Sequence, residues 1–277
     1  MIYDYNMYKL IVSDLDETLL TTDKNISKTD IDTITNLKDC KFVIATGRGS
    51  NAIEKELKLL NQYQKENEYI ISFNGGLVLE SKDNKIVYAN KMPFEDVKQL
   101  FNIGLKYDVC IELCAFERNY CFNVSEDELE QLIKGGFKYE ICDSHDIEFL
   151  KNKNIAKILF CKKDMEYLRK IKEEINLDDK FSISFSSFRY LELNPLGIDK
   201  GLGLQKLCEY LNIDIKDTIA VGDNLNDLPM IQKAGLGVGV KNSIKDIIPY
   251  CDIILESTNN ENPITEIVNK YIKNAED

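Results

Sequence analysis

The stretch Lys9-Leu-Ile-Val-Ser-Asp-Leu-Asp-Glu-Thr-Leu-Leu20 decides the fold of this chain. Its apolar run at residues 10–12 is too short for a buried helix and is typical of a central strand in a parallel sheet. Asp14 and Asp16 follow at once, and residues two apart in an extended backbone point the same way. The sequence therefore places two carboxylates at the carboxyl end of a strand, where open α/β sheets bind their ligands.

Two carboxylates held together in this way repel each other. At about 5 Å and an effective dielectric constant of about 20, the repulsion is roughly 3 kcal/mol. A cation between Asp14 and Asp16 would remove this cost. A solvated acidic turn is the alternative, since Asp is common in turns, and the rest of the chain has to decide between the two.

The composition bounds the partners that this protein can have. With 277 residues, 44% hydrophobic and 30% charged, the chain has room for one large or two moderate globular domains. A net charge of −12 and a pI of about 4.8 argue against nucleic acid and anionic membranes as partners. No window approaches the ~18 apolar residues of a membrane span. The first residues do not resemble a signal peptide, and we expect residues 1–6 to be a dispensable lead-in.

The eight cysteines are scattered, and none forms a Cys-x-x-Cys pair. We expect them to be reduced core thiols of a cytoplasmic protein. Cys110 and Cys114 share one face of a predicted strand, but the sequence shows no second pair to complete a metal site. The single histidine, His145, lies in an acidic, polar segment, which predicts a surface residue and not a catalyst.

Strands and helices alternate in two separate parts of the chain. This alternation, at residues 1–82 and again at 191–277, predicts an α/β fold with a Rossmann-like parallel-sheet core and helices on both faces. Between them, at residues 83–190, hairpin-joined strands with helices predict an inserted α+β domain with an antiparallel sheet.

Several strand ends and one helix start carry residues that suit phosphate chemistry. Thr46 and Gly47 follow a buried strand, Lys200 begins a helix, and the segment Gly222-Asp-Asn-Leu-Asn-Asp227 follows another strand. Carboxylates that converge with a lysine and with hydroxyl and amide donors suit a hard cation and a phosphate group together. We therefore expect a Mg²⁺ site that faces a phosphorylated ligand.

These segments, in this order, resemble the four motifs of the haloacid dehalogenase-like hydrolases. The inserted domain lies between the second and third motifs, where Cof-type phosphatases of that superfamily carry a large α+β cap. Phe73-Asn-Gly75 also resembles an element of Cof-type members. The core resemblance covers essentially the whole chain, whereas the cap resembles the family only in position and size.

The resemblance implies a role for each matching residue. Asp14 would be the nucleophile that attacks phosphorus, and Asp16 would protonate the leaving oxygen and later deprotonate water. Lys200 would screen the charge between Asp14 and phosphate. Mg²⁺ would be held by Asp14, the backbone carbonyl of Asp16, and Asp223.

The phosphoryl oxygens would be held by hydroxyl and amide groups. The resemblance assigns this role to the Leu15 amide, Thr46, the Gly47 amide and Asn226. Asp227 would orient Lys200 or a metal-bound water.

Three residues leave alternatives open. Glu17 stands where many members of the family have glycine, which predicts a costly positive φ in the turn. Arg48 could contact substrate or form a structural salt bridge. Asn74 could contact the phosphate site or serve as a turn residue.

The function that follows is a Mg²⁺-dependent phosphatase of small phosphorylated metabolites, foremost sugar phosphates, working through an aspartyl-phosphate. One alternative is a sugar-phosphate mutase of the phosphomannomutase kind, and another is a non-catalytic module that binds a phosphorylated ligand. The sequence does not reveal the substrate, the cap residues that select it, or the oligomeric state.

Overall fold

The computed structural model describes residues 8–272, so the prediction for residues 1–6 lies outside the described residues. The amino-terminal part of the chain runs, in order, through β1 Leu10–Asp14, α1 Lys28–Thr35, β2 Lys41–Ala45, α2 Glu54–Leu59, β3 Tyr69–Ser72, β4 Leu77–Glu80 and β5 Lys85–Ala89. The middle part contains α3 Phe94–Gly104, β6 Cys110–Ala115, β7 Asn119–Phe122, α4 Glu126–Lys134, β8 Tyr139–Ile141, β9 Ile155–Cys161, α5 Met165–Ile175, β10 Phe181–Ser186 and β11 Tyr190–Pro195. The carboxyl-terminal part contains α6 Lys200–Leu211, β12 Thr218–Gly222, α7 Leu228–Lys233, β13 Leu236–Gly239, β14 Ile253–Ile254 and α8 Pro263–Tyr271.

The chain forms two compact units. The described residues of the first unit are 8–48, 53–89 and 199–272, and those of the second are 49–52 and 90–198. The main segment of the second unit begins at residue 90, where the prediction was 83, and ends at residue 198, where the prediction was 190. Strand β5 pairs with β4 in the sheet of the first unit, and β11 pairs with β9 and β10 in the sheet of the second unit.

The sheet of the first unit has eight strands in the order β14-β13-β12-β1-β2-β3-β4-β5. The six strands from β14 to β3 are parallel, whereas β4 and β5 are antiparallel additions at one edge. This arrangement confirms the predicted α/β class. Because β1 lies between β2 and β12 and all three strands are parallel, their carboxyl ends lie side by side in the middle of the sheet.

Alternation along β1 explains how the first unit packs. Leu10 and Val12 point to the face that packs against residues of α6 and α7, such as Leu204 and Met230. Ile11 points to the opposite face and is equally buried. A strand buried on both faces reads as a continuous apolar run, which is why this segment could be recognised from its sequence.

The second unit is a six-stranded sheet in the order β10-β11-β9-β6-β7-β8. Its pairs are antiparallel except for β7 with β8. One face carries apolar side chains, among them Ile111, Phe122 and Ile158, which pack with Leu100 and Leu168 of the helices α3 and α5. This is the α+β architecture that the hairpin-joined strands predict.

The opposite face of the second sheet is polar and yet buried. It carries Cys110, Glu112 and Cys114 on β6, with Lys157 and Cys161 on β9. On the same face, the Lys157 ammonium donates to Glu192 over 2.6 Å, in a pair that is almost fully buried. The two charges compensate each other, because a buried charge is tolerated when it is paired and hydrogen-bonded.

Helix α4 is tied to the second sheet through Glu128. This carboxylate is 2% exposed and accepts hydrogen bonds from Arg189 at 2.9 Å and from the Tyr190 hydroxyl at 2.9 Å. Ser125 caps the helix, since its hydroxyl accepts from the Glu128 backbone amide. Among the described residues, no helix has both the length and the apolar character that crossing a membrane requires.

Candidate active site

The acids at the end of β1 lie where the sequence predicts them. Asp14 is the last residue of the strand and is 6% exposed. The Leu15 side chain is buried directly after it. Asp16 is less buried, and its carboxylate is turned toward Arg48. Asp16 therefore has a cationic partner of its own, and Asp14 has another in Lys200.

Glu17 adopts the left-handed conformation that was expected to be costly at this position, with a φ of 59°. Its carboxylate accepts hydrogen bonds from Lys24 at 2.7 Å and from Asn259 at 3.3 Å. Its backbone carbonyl accepts from Asn242 at 2.8 Å. These three contacts offset the roughly 1–2 kcal/mol that this conformation costs a residue with a Cβ, and they show how the turn forms without glycine.

Lys200 contacts two of the predicted acids at once. Its ammonium donates to Asp14 and, over 2.6 Å, to Asp227. Both Lys200 and Asp227 are fully buried. Helix α6 begins at Lys200 because Asp199 caps it, accepting from the Leu202 amide at 2.7 Å.

Asp227 is fixed by the loop that carries it. Its second carboxylate oxygen accepts from the backbone amides of Asp223 at 2.9 Å and Asn224 at 3.0 Å. Of the two roles considered for Asp227, the contacts favour orienting Lys200, since one oxygen is bound to the ammonium and the other to the loop.

Asp223 completes a cluster of three acids. Carboxylate oxygens of Asp14, Asp223 and Asp227 all lie within 4.8 Å of one another. Asp223 accepts a hydrogen bond from the Thr18 hydroxyl over 2.9 Å. Thr18 is a site residue to which the sequence argument assigned no role. The available signal was its place two residues after Asp16 in the segment that follows β1.

The electrostatics of this cluster follow from burial. Burial and the neighbouring charge of Asp227 raise the pKa of Asp14 well above its ordinary value. The same two causes raise the pKa of Asp223 to about 6. Burial alone would lower the pKa of Lys200, but the charges of Asp14 and Asp227 outweigh it and raise that pKa. The pocket thus holds more negative than positive charge, and Lys200 stays protonated.

The donor set fits a hard divalent cation. Asp14 and Asp223 offer carboxylate oxygens, which Mg²⁺ prefers, and three clustered carboxylates with one ammonium group leave an excess of negative charge. Asp227 is less available as a ligand because both of its oxygens are already bound. The predicted backbone ligand at Asp16 stays a prediction.

A second group of predicted residues lies around the end of β2. The Thr46 hydroxyl accepts from the Arg48 amide at 3.1 Å, and the Thr46 carbonyl accepts from the Asn74 amide at 3.0 Å. The Asn226 side chain donates to Asn74 over 3.4 Å. A Cβ on Gly47 would lie 3.2 Å from the Asn74 side chain, so glycine keeps this approach open. Thr46, Gly47 and Asn226, three of the residues predicted to bind the phosphoryl group, therefore all lie beside Asn74.

Arg48 and Asn74 can now be placed. Arg48 donates to both oxygens of Asp16, over 3.0 Å from Nε and 2.5 Å from the terminal nitrogen, so it forms the salt bridge that was one of its two alternatives. Asn74 has a φ of 52° and also contacts Asn226, which makes it both a turn residue and a neighbour of the phosphate-binding candidates.

Two glycines hold α6 against its neighbours, and the sequence gives little sign of this. Gly75 has a φ of 92°, and a Cβ there would lie 2.0 Å from the Asp199 carbonyl oxygen. A Cβ on Gly201 would lie 2.4 Å from the Pro229 carbonyl oxygen. These close approaches bring Lys200 to the acids, because they fix the first turn of α6.

Comparisons with known proteins show the family of this chain. A sequence profile of the haloacid dehalogenase-like hydrolases matches residues 11–268. The chain is 26% identical to an HMP-PP phosphatase of Escherichia coli over 257 residues, which is 90% of each chain.

Solved structures extend the agreement to the fold. A haloacid dehalogenase-like hydrolase from Bacteroides thetaiotaomicron superposes with a TM-score of 0.84 at 29% identity, covering 95% of this chain and 98% of the other. The protein TM0651 from Thermotoga maritima superposes with a TM-score of 0.85 at 26% identity, covering 97% and 99%.

The match of the sequence profile extends over both units and includes every predicted site residue from Asp14 to Asp227. Relatives named as phosphatases cover nearly all of the chain. The chain belongs to the haloacid dehalogenase-like hydrolases and is a phosphoric monoester hydrolase.

Proposed function

We propose that this phosphatase hydrolyses small phosphorylated metabolites, foremost sugar phosphates, in a Mg²⁺-dependent reaction through an aspartyl-phosphate. The observation that carries the proposal is the contact of Lys200 with both Asp14 and Asp227, beside Asp223. This contact gives Asp14 a fixed position and a cationic neighbour at the carboxyl end of the central strand.

In the first step, a carboxylate oxygen of Asp14 forms a bond to phosphorus while the bond from phosphorus to the ester oxygen breaks. Asp16 gives its proton to the departing oxygen. In the second step, water attacks the phosphorus of the aspartyl-phosphate, Asp16 takes a proton from that water, and Asp14 is released with inorganic phosphate.

The remaining residues bind and orient the phosphoryl group. We assign this binding to the Leu15 and Gly47 amides, Thr46 and Asn226. Lys200 holds Asp14 in place and offsets negative charge as phosphate approaches. Asp14 and Asp223 would hold Mg²⁺ together with the Asp16 carbonyl, and the ion, when bound, supplies charge neutralisation for the phosphoryl oxygens.

In this proposal the substrate is a small molecule, and the two units have different roles. The first unit carries the reacting residues, and we assign substrate selection to the second unit. We further propose a cytoplasmic location, because the eight cysteines are all free thiols, as in a reducing compartment.

The test is a screen for phosphate release over sugar phosphates, nucleotides, pyridoxal phosphate and flavin mononucleotide, each with and without Mg²⁺. We expect release from sugar phosphates that requires Mg²⁺. Conversion of a hexose 1-phosphate into its 6-phosphate without free phosphate would instead identify a mutase. Tight binding of a phosphorylated ligand with no turnover of any compound would identify a binding module.

A further inference from the structure

The polar face of the second sheet brings three potential metal ligands together far from the acid cluster in sequence. Cys110 and Glu112 are two residues apart on β6 and so point to the same face. Cys161, on β9, is the direct cross-strand partner of Cys110. The two thiol sulfurs and a Glu112 carboxylate oxygen all lie within 4.8 Å of one another.

The local geometry suits a tetrahedral thiolate site. The Cys161 sulfur lies 3.6 Å from the nearer Glu112 oxygen. With zinc bonds of about 2.3 Å to sulfur and about 2.0 Å to oxygen, tetrahedral angles separate such a ligand pair by about 3.5 Å. The observed separation is that of a hydrogen bond from the Cys161 thiol to Glu112, and it also matches two ligands on one zinc ion.

Glu112 is also held in position by a residue outside the cluster. The Asn119 side chain on β7 donates to the second Glu112 oxygen over 2.8 Å. This leaves the first oxygen directed at the Cys161 thiol. Metal sites commonly orient their carboxylate ligands through such an outer hydrogen bond.

Burial distinguishes this cluster from a chance group of surface residues. Cys110, Glu112 and Cys161 are each at most 4% exposed. Buried carboxylates are usually paired with a cation or bound to a metal. Sulfur ligands favour zinc over magnesium, so the two metals would occupy different sites in this protein.

We propose that Cys110, Glu112 and Cys161 form a zinc site within the second unit. Binding replaces the two thiol protons, which leave to solvent, with two bonds from sulfur to zinc. Cys121, buried directly across from Glu112 on β7, is the candidate for a fourth ligand. The sequence did not reveal the site because Cys161 lies 49 residues from Glu112.

Cobalt substitution tests the proposal in the full-length chain. The site is buried, so the reduced protein is unfolded in denaturant and refolded with Co²⁺ and excess Mg²⁺. The Asp14→Asn variant serves as the background, so that the result does not depend on catalysis. We expect one equivalent of cobalt to give charge-transfer absorption from thiolate together with tetrahedral d–d bands. Cobalt bound to carboxylates alone gives no thiolate band, which separates this site from the acid cluster.

Variants locate the signal. We expect Cys110→Ser and Cys161→Ser each to abolish the thiolate band, and Cys208→Ser, which removes a buried thiol from the first unit, to leave it unchanged. Glu112→Gln keeps both thiols and should weaken cobalt binding at least 10-fold, which covers the case in which the serine variants do not refold.

Three results would overturn the proposal. These are a refolded protein that binds cobalt without a thiolate band, a band that persists in the Cys110 and Cys161 variants, and a disulfide between these two cysteines in protein isolated without reductant. Zinc that copurifies with the chain in a 1:1 ratio, and is lost in Cys161→Ser, would support the site independently of refolding.

Discussion

At the scale of single residues, the fully buried Lys200 ammonium makes the acid cluster tolerable. It contacts Asp14 and Asp227, and burial raises the pKa of Asp14 even with this cation beside it. The same contacts fix the position of Asp14, the proposed nucleophile. One side chain therefore serves both stability and the proposed chemistry, and substitutions can separate these two contributions.

Asp14→Asn tests the chemistry. We expect phosphate release to fall by on the order of 10⁴-fold or more, because an amide oxygen is a poor nucleophile. Folding should be retained, since Asp227 still pairs with Lys200. Phosphate release and thermal unfolding measure the two effects. Asp23→Asn, at an exposed position in the following loop, is the matched control and should keep normal turnover. Normal turnover in Asp14→Asn would rule out its role as nucleophile.

Lys200→Met tests stability. Removing the ammonium leaves Asp14 and Asp227 without their cation, and we expect a loss of about 3–5 kcal/mol in the free energy of unfolding, measured with urea. Lys206→Met on the same helix removes an exposed pair with Glu209 and should cost at most about 1 kcal/mol.

The Lys200→Met variant should also respond to pH in a defined direction. The pKa of Asp14 in the folded state is already raised by burial and by Asp227, and removing the ammonium should raise it further. The stability of the variant should therefore rise more than that of the unaltered protein as pH falls through this folded-state pKa. Equal losses in Lys200→Met and Lys206→Met would contradict the account of the cluster.

At the scale of secondary structure, the site depends on where strands and helices end. Strands β1, β2 and β12 are parallel neighbours, so Asp14, Thr46 and Asp223 lie side by side at the carboxyl ends of the strands. The first turn of α6 adds Lys200 from the side. Continuous apolar runs indicated these strands, whereas their contacts depend on close backbone approaches that the pattern does not encode.

Gly75→Ala tests one such approach. The added Cβ would meet the Asp199 carbonyl and would also keep a positive φ, so we expect a lower free energy of unfolding and lower activity, because the start of α6 has to shift. Gly197→Ala is the matched control, since Gly197 has a φ of 74° with nothing near its Cβ position. The free energy of unfolding of this control should fall by only about 1–2 kcal/mol, which is what a positive φ costs a residue with a Cβ. If both variants unfold alike in urea, close packing at Gly75 is not important.

The raised pKa of Asp223, at the end of β12, predicts how the binding of Mg²⁺ depends on pH. Because the pKa of Asp223 is raised to about 6, protons compete with the metal for this carboxylate as pH falls through that value. We expect saturating Mg²⁺ to raise the melting temperature at pH 7.5 and to do so progressively less below about pH 6.

Without the metal, Asp223 should make the folded state more stable, not less, as pH falls. A raised pKa for a carboxyl group destabilises the folded state at high pH, and this penalty disappears as the group is protonated. Melting curves at several pH values, with Mg²⁺ and with chelator, measure both trends. A metal-induced shift that stays the same down to pH 4.5 would contradict the assignment of Asp223 as a ligand.

At the scale of the whole molecule, the chain builds two units with separate cores and different kinds of buried polar group. The first unit buries three carboxylates and the Lys200 ammonium together at the site. The second unit buries charges and thiols across one face of its sheet, including the pair between Lys157 and Glu192. We therefore expect that removing a buried polar group from one unit destabilises mainly that unit.

Lys157→Met should destabilise the second unit selectively, because it leaves the buried Glu192 without its partner. We expect faster amide hydrogen exchange in β9 and β11, and a loss of about 3–5 kcal/mol in the local free energy of opening. The exchange of β1 and β2 should be unchanged. The double variant Lys157→Met with Glu192→Leu should recover part of the loss, since it removes both charges. Equal changes in both sheets would contradict separate cores.

The sequence by itself determined the fold class, the acids at the end of β1, and the order of the four motifs, because apolar periodicity and residues close in sequence encode them. Only the tertiary structure decided that Asp16 pairs with Arg48, that Thr18 binds Asp223, and that β5 belongs to the first sheet. It also brought Cys161 to Cys110 and Glu112. The physical reason is that these contacts join residues far apart in the chain, and their geometry is fixed by strand register and by backbone approaches that local patterns do not contain.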